Sequence, residues 1–293
     1  MTSDCSRLAR QPPLLRVFTF LSIIIVVWLP LALPLYWVSA QGKLLGGDLI
    51  PTALLYLVFL LGLPIWQRRV HQTPHPWQVL GFTGGRRLAR GLILGIGLGS
   101  LSFGLLVAIQ LALGWATLNP QSLKIPFLIT TALGGALTAL AVGWSEELLF
   151  RGWLLWELEQ GSSRELALLL NSLLFALVHF IKPLATLLAL LPQFFGLWLL
   201  GMALVLARHL ALPPMPPRQT SLGVAVGLHG SLVWGYYLVD VADLLQVTGR
   251  VPVWVTGVGQ NPLAGLLGIT LLGLLAMFLY RWSHRPAEMV HPS

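Results

Sequence analysis

The sequence predicts an all-α, polytopic membrane protein with about eight transmembrane helices, and three observations carry that expectation. Of its 293 residues, 56% are hydrophobic and only 10% charged. Ordinary soluble domains carry roughly 25% charged residues, so this chain has too few to cover a water-facing surface. Its mean hydropathy is +0.79. Finally, apolar stretches near the roughly 20 residues that a helix needs to cross the hydrocarbon core recur along the chain. A soluble enzyme, a nucleic-acid binder and a disordered chain are excluded. The net charge of +8 is spread along greasy segments, as topology signals are, and is not gathered into a nucleic-acid patch. The single cysteine, Cys5, excludes an intramolecular disulfide.

The eight stretches are 15–38, 48–66, 91–115, 125–150, 165–181, 184–207, 221–245 and 262–282. The first is too long for a cleaved signal peptide and lacks a small-residue cleavage site. Pro30, Pro34 and Pro192 imply kinks, which membrane helices accept when neighbours satisfy the freed backbone groups. Gly91, Gly95 and Gly99 form a small-xxx-small ladder on the third stretch, read first as tight packing within the monomer and second as a dimer interface. The fifth stretch is short, with Pro183 behind it. The run Pro213-Pro214-Met215-Pro216-Pro217 reads as a stiff connector. Trp28, Trp37, Trp66, Trp77, Trp115 and Trp282 fall near helix ends, the aromatic-belt position.

The charges test this count. The N-terminus, 67–90, 151–164, 208–220 and the C-terminus hold 14 of the 18 Lys and Arg residues, Arg16 among them. The alternate loops hold only Lys43, Lys124, Lys182 and Arg250. By the positive-inside rule both termini are cytoplasmic. No inverted repeat of the transporter type is visible.

Ionisable residues inside a bilayer are costly and become candidates for function. Four stand out: Glu146 and Glu147 on the fourth stretch, His179 on the fifth and His229 on the seventh. The Gln160-Gly161-Ser162-Ser163 turn joins the fourth and fifth. Glu146 lies 16 residues before Ser162 and His179 lies 17 after it. At about 1.5 Å per residue both stand roughly 25 Å above the corner, level on antiparallel neighbours. His229 lies about 12 Å into its own helix by the same rise and can reach the same site. Glu147 and Arg151 are spaced i, i+4 with the acid first, the favourable order for an ion pair, whereas Glu146 is turned about 100° away. One glutamate is then structural and the other is free for chemistry. A carboxylate beside a histidine in a low-dielectric cavity is suited to activating a water. A lone buried histidine is usually a satisfied core residue, but three groups converging on a bundle interior favour function. Asp240 and Asp243 read as interfacial, and Ser145 as a weak alternative nucleophile.

Glu146-Glu147-Leu148-Leu149-Phe150-Arg151 resembles the EExxxR motif of the CAAX-protease and bacteriocin-processing (CPBP, or Abi) family. Phe175-Ala176-Leu177-Val178-His179 resembles its FxxxH motif, and His229 begins what looks like its HxxxN motif. The resemblance covers about residues 125–245, flanked by motif-free helices over 1–124 and a C-terminal helix and tail over 246–293, all in one membrane domain. It implies an intramembrane endopeptidase working near the cytoplasmic membrane face. Glu146 would deprotonate the attacking water, His179 would share that water and its proton, and His229 would stabilise the oxyanion. Glu147 and Arg151 would hold the helix, supported by Phe175. No cofactor is expected; the alternative is zinc, held by Glu146, His179 and His229. The expected partners are a membrane-associated protein or peptide substrate, the lipid bilayer and a membrane-protein complex, with no nucleic acid. Prenyl-protein members act on lipidated CaaX tails. The compact form here suggests a bacterial-type inner or internal membrane, where that substrate class would be absent. One departure stands out. Val233 occupies the polar position of HxxxN and cannot donate a hydrogen bond, which raises a second alternative, a weakened member acting as scaffold, assembly or immunity factor. Tyr236, at i+7 from His229, is the candidate substitute donor.

Overall fold

The computed structural model describes residues 7–43, 46–180, 188, 190–210, 220–258 and 261–284; Cys5, Pro183 and the 213–217 run lie outside them. Eight long helices account for most of the described residues, and each overlaps one predicted stretch. These are α1 (Pro13–Ala40), α2 (Leu49–Arg69), α3 (Gly85–Ala112) and α4, which runs from Ile125–Glu147 through a π-helical turn, Leu148–Leu154, into Leu155–Glu159. They are followed by α5 (Arg164–His179), α6 (Leu191–Arg208), α7 (Gly223–Asp240) and α8 (Leu266–Ser283). Among the described residues, six of them are long and apolar enough to cross a membrane, all except α5 and α7. The chain is an all-α, polytopic membrane protein. The two exceptions have a physical reason. The 16 residues of α5 rise about 24 Å, short of a hydrocarbon core near 30 Å, and α7 is diluted by His229, its glycines and its tyrosines. The helices that carry both histidines are therefore the less lipid-like ones.

The chain divides into two compact units, Met1–Leu80 with Trp156–Ser163, and Gly81–Leu155 with Arg164–Ser293. In the first, α1 and α2 pack through Phe20, Ile24, Phe59, Leu63 and Trp66, all buried. The Arg16 end of α1 and the Trp66 end of α2 are locked on Glu157, which is fully buried and paired. Its carboxylate accepts from Arg16 Nε at 2.9 Å, Trp66 Nε1 at 2.6 Å and His71 Nε2 at 2.8 Å, while Arg16 also donates to the Glu157 carbonyl at 2.9 Å. One expectation is corrected here. Trp66, placed in the aromatic belt, is a core residue, and Arg16 is 2% exposed, because a buried carboxylate needs donors and these two reach it.

In the second unit, α7 lies against α3 at backbone contact. A Cβ on Gly95 would run into the Val224 carbonyl, and one on Gly227 into the Leu92 carbonyl. The Gly91, Gly95, Gly99 ladder is thus used inside the monomer, interlocked with Gly223 and Gly227. Gly143 of α4 meets Gly230 of α7 in the same way, with a built Cβ only 3.3 Å from its Cα. On the other side α6 packs on α5, where Gly201 abuts Ser172, and on α8. At the far end of this unit, β1 (Ala116–Leu118) and β2 (Leu245–Val247) form an antiparallel ribbon with Thr117 opposite Gln246, a feature that the helical periodicity does not foretell.

Candidate active site

The site grows from an irregularity in α4. Directly after Glu147 the helix widens into the π turn Leu148–Leu154, a departure that recurs at functional sites. Carbonyls of that turn take side-chain donors from neighbouring helices: Asn171 Nδ2 of α5 donates to Phe150 O at 2.7 Å, and Arg208 Nε of α6 to Arg151 O at 3.3 Å. Asn171 and Arg208 brace this turn, and sequence reasoning missed both. The only trace of the first is an amide set in an otherwise apolar helical run, and π register leaves no mark in hydrophobic spacing.

Arg151, held inside this turn, is fully buried and donates to Glu147 Oε1 at 2.9 Å and to Gly201 O at 3.2 Å. The predicted i, i+4 pair is present. Its guanidinium lies 4.3 Å from the centre of the Phe175 ring, so Phe175 serves as a cation–π floor. The same ring packs 4.3 Å from His179 and edge-on, 5.9 Å away, to His229.

Around these supports the ionisable groups converge. His179 Nε2 is 3.1 Å from Glu146 Oε2. His229 Nδ1 is 2.8 Å from Glu147 Oε1, and its Nε2 is 3.9 Å from Glu146 Oε2. The clean division between the two glutamates is therefore revised: both face His229, because α7 comes close enough to lie across the end of α4. His229 is 4% exposed at its side chain, Glu146 27% and His179 29%, so the pair opens outward over a buried base.

Simple proton bookkeeping follows from the acceptors. His179 Nδ1 is 2.8 Å from the Phe175 carbonyl, which only accepts, so Nδ1 carries a hydrogen. Its contact with Glu146 then needs a proton on the line between Nε2 and Oε2, and the pair is either imidazolium with carboxylate or imidazole with carboxylic acid. Glu147, ion-paired with Arg151, accepts from His229 Nδ1–H and thereby turns Nε2 towards Glu146. The 3.9 Å gap is too long for a hydrogen bond, yet a single water about 2.8 Å from each atom spans it.

Other predicted groups lie elsewhere. Tyr236 is hydrogen bonded to Asp240 one turn on, and no contact joins it to Glu146. Val233 is half-buried. Ser145 Oγ donates back to the Ala141 carbonyl at 2.7 Å, with no histidine beside it. Among the described residues, no group of three or more His, Cys, Asp or Glu side chains is arranged to hold a metal ion, so zinc gains no geometric support.

No curated protein and no solved structure matches the chain. A family model does: that of the type II CAAX prenyl endopeptidase Rce1-like group, over residues 128–235. The matched segment runs from the first turn of α4 into α7 and takes in both glutamates, Arg151, Phe175 and both histidines, though not Tyr236. Residues 128–235 thus carry a match to the Rce1-like type II CAAX prenyl endopeptidase (CPBP, or Abi) family model.

Proposed function

We propose that the chain is a glutamate-type intramembrane endopeptidase that hydrolyses peptide bonds of membrane-associated proteins near the cytoplasmic face. One observation carries this reading: the Glu146 carboxylate sits between two imidazole nitrogens, 3.1 Å from one and 3.9 Å from the other. A water in the wider gap loses a proton to Glu146, and its oxygen adds to the scissile carbonyl carbon. His179 shares the proton gained by Glu146 and passes one to the departing amine nitrogen. His229 in its protonated form, oriented by Glu147, donates Nε2–H to the developing oxyanion. The C–N bond then breaks, leaving a carboxylate and an amine.

The test is a comparison of new protein N-termini in membranes containing the wild-type chain or Glu146→Gln. A set of N-termini present only with the wild type is expected. Identical sets from the two membranes would overturn the proposal. A scaffold role is favoured by one observation, the apolar Val233 beside His229. Losing one oxyanion donor costs about 10²–10³ in rate, so Val233→Asn should raise turnover of a cleaved substrate if the chain is a slowed enzyme. A folded Val233→Asn variant with no gain, together with a silent wild type, would favour the scaffold.

A further inference from the structure

In the first unit, Gly62 of α2 lets α1 come close, for a Cβ there would stand 2.7 Å from Ile24 Cδ1. Beside this contact the two helices leave a groove of about 590 Å³ with almost wholly apolar walls. Ile24 and Trp66, both 5% exposed, lie at its base, while Val27 at 50% and Leu61 at 60% line it and stand open to the outside. Along α2 the lining runs from Leu54 to Arg69, a rise of about 22 Å. Half of a bilayer, headgroups included, measures about 20–22 Å. The groove therefore has the length of one lipid leaflet.

Its two ends differ in chemistry. Leu31 and Leu54 lie at one end, and Leu8, Val70 and Arg69 at the other. Arg69 is exposed, as are its neighbour Arg68 and Arg10, two residues after Leu8. The guanidinium groups of these three have no hydrogen-bond or ion-pair partner among the described residues. Glu157 and Glu159 of the same unit are engaged with other groups. Arg16 fixes the turn that carries Leu8, since its Nη1 donates to the Ala9 and Gln11 carbonyls.

An apolar trough one leaflet long that ends in free cationic donors is the complement of an anionic lipid. A guanidinium can bind two phosphate oxygens at once, and basic residues at the ends of membrane helices attract anionic headgroups. We propose that the α1–α2 groove binds one anionic glycerophospholipid, with an acyl chain between Val27 and Leu61 and the phosphate on Arg69. A second copy of the chain fits less well. In a two-fold dimer with both copies in the same membrane orientation, it would bring the same arginines to the same level. This site is independent of the peptidase reading.

The full chain, delipidated in a mild detergent, is titrated with phosphatidylglycerol or with phosphatidylcholine carrying the same acyl chains, and the bound fraction is read by native mass spectrometry. One phosphatidylglycerol per chain is expected at saturation, with phosphatidylcholine about fivefold weaker, the effect of one arginine near an anionic headgroup. Arg69→Gln should weaken phosphatidylglycerol about tenfold, as loss of one charge-assisted hydrogen bond does. Arg86→Gln removes the same charge from the other unit and should bind like the wild type. Leu61→Trp fills the trough from an exposed position, so it should fold, and it should weaken phosphatidylglycerol as much as Arg69→Gln does. Equal binding of the two lipids by the wild type, equal losses in Arg69→Gln and Arg86→Gln, or no loss in Arg69→Gln and Leu61→Trp would overturn the proposal. So would a dimer that Leu61→Trp dissociates in the absence of saturable lipid binding, a result that assigns the groove to a second copy.

Discussion

Glu146 and Glu147 are adjacent in the chain and chemically opposite in their surroundings. Glu147 is fully buried and neutralised by Arg151, whereas Glu146 is partly open and faces two imidazoles. Removing one partner of a buried pair costs about 3–5 kcal/mol. Glu147→Ala should therefore lower the thermal midpoint in detergent clearly, while Glu146→Gln should leave it within the error of the wild type and abolish cleavage. Glu147→Gln is a sharper variant. It keeps an acceptor for His229 but loses the charge opposite Arg151, and should fall between the two in stability. A midpoint for Glu146→Gln lower than that for Glu147→Ala would contradict this assignment. The i, i+4 pair is legible in the sequence, because a helix determines which residues share a face. The Glu147–His229 bond is not, since it joins residues 82 apart and depends on how two helices cross. Tyr236 shows the same limit from the other side. Helical spacing sets it on the His229 stripe, but its hydroxyl finds Asp240 on its own helix first.

The helices that matter most for chemistry are the least suited to lipid. The short α5 and the glycine-rich α7 take their position from neighbours, and glycine is what admits α7 to backbone contact with α3 and α4. Gly95→Val should thus displace α7 and, with it, His229. The expected outcome is poor yield or a folded chain without cleavage, read by gel filtration and by the N-terminus assay. Gly97→Val on the same helix meets nothing within 4 Å and should behave as wild type, apart from a slight change in helix propensity. Equal tolerance of the two changes would mean that the ladder does not set the position of α7. Small residues at every fourth position serve intramolecular packing and a dimer contact equally well; the facing glycines of α7 resolve the choice. The π turn in α4 is another matter of neighbours, for two of its carbonyls, those of Phe150 and Arg151, accept from Asn171 and Arg208 of other helices.

For the molecule as a whole, six helices among the described residues meet the length and apolarity of a membrane span; from the 14-to-4 distribution of Lys and Arg we propose eight crossings with both termini cytoplasmic. Labelling of single cysteines at Gly85 and Gln121, placed in a chain with Cys5 replaced by serine, should report opposite sides, since α3 alone separates them. Reaction of both from one side would sink the arrangement. What could be read without coordinates was whatever depends on composition and on local period: the membrane class, the eight helical stretches, the 160–163 corner and the level depth of Glu146 and His179. These follow from transfer free energy and the 1.5 Å rise, which are properties of the chain alone. The pairing of Glu157 with Arg16, Trp66 and His71, the approach of His229 to both glutamates and the groove between α1 and α2 became visible only when separate helices met. A side chain's partner there is chosen by which donor or acceptor the packing brings within about 3 Å, and no local period encodes that.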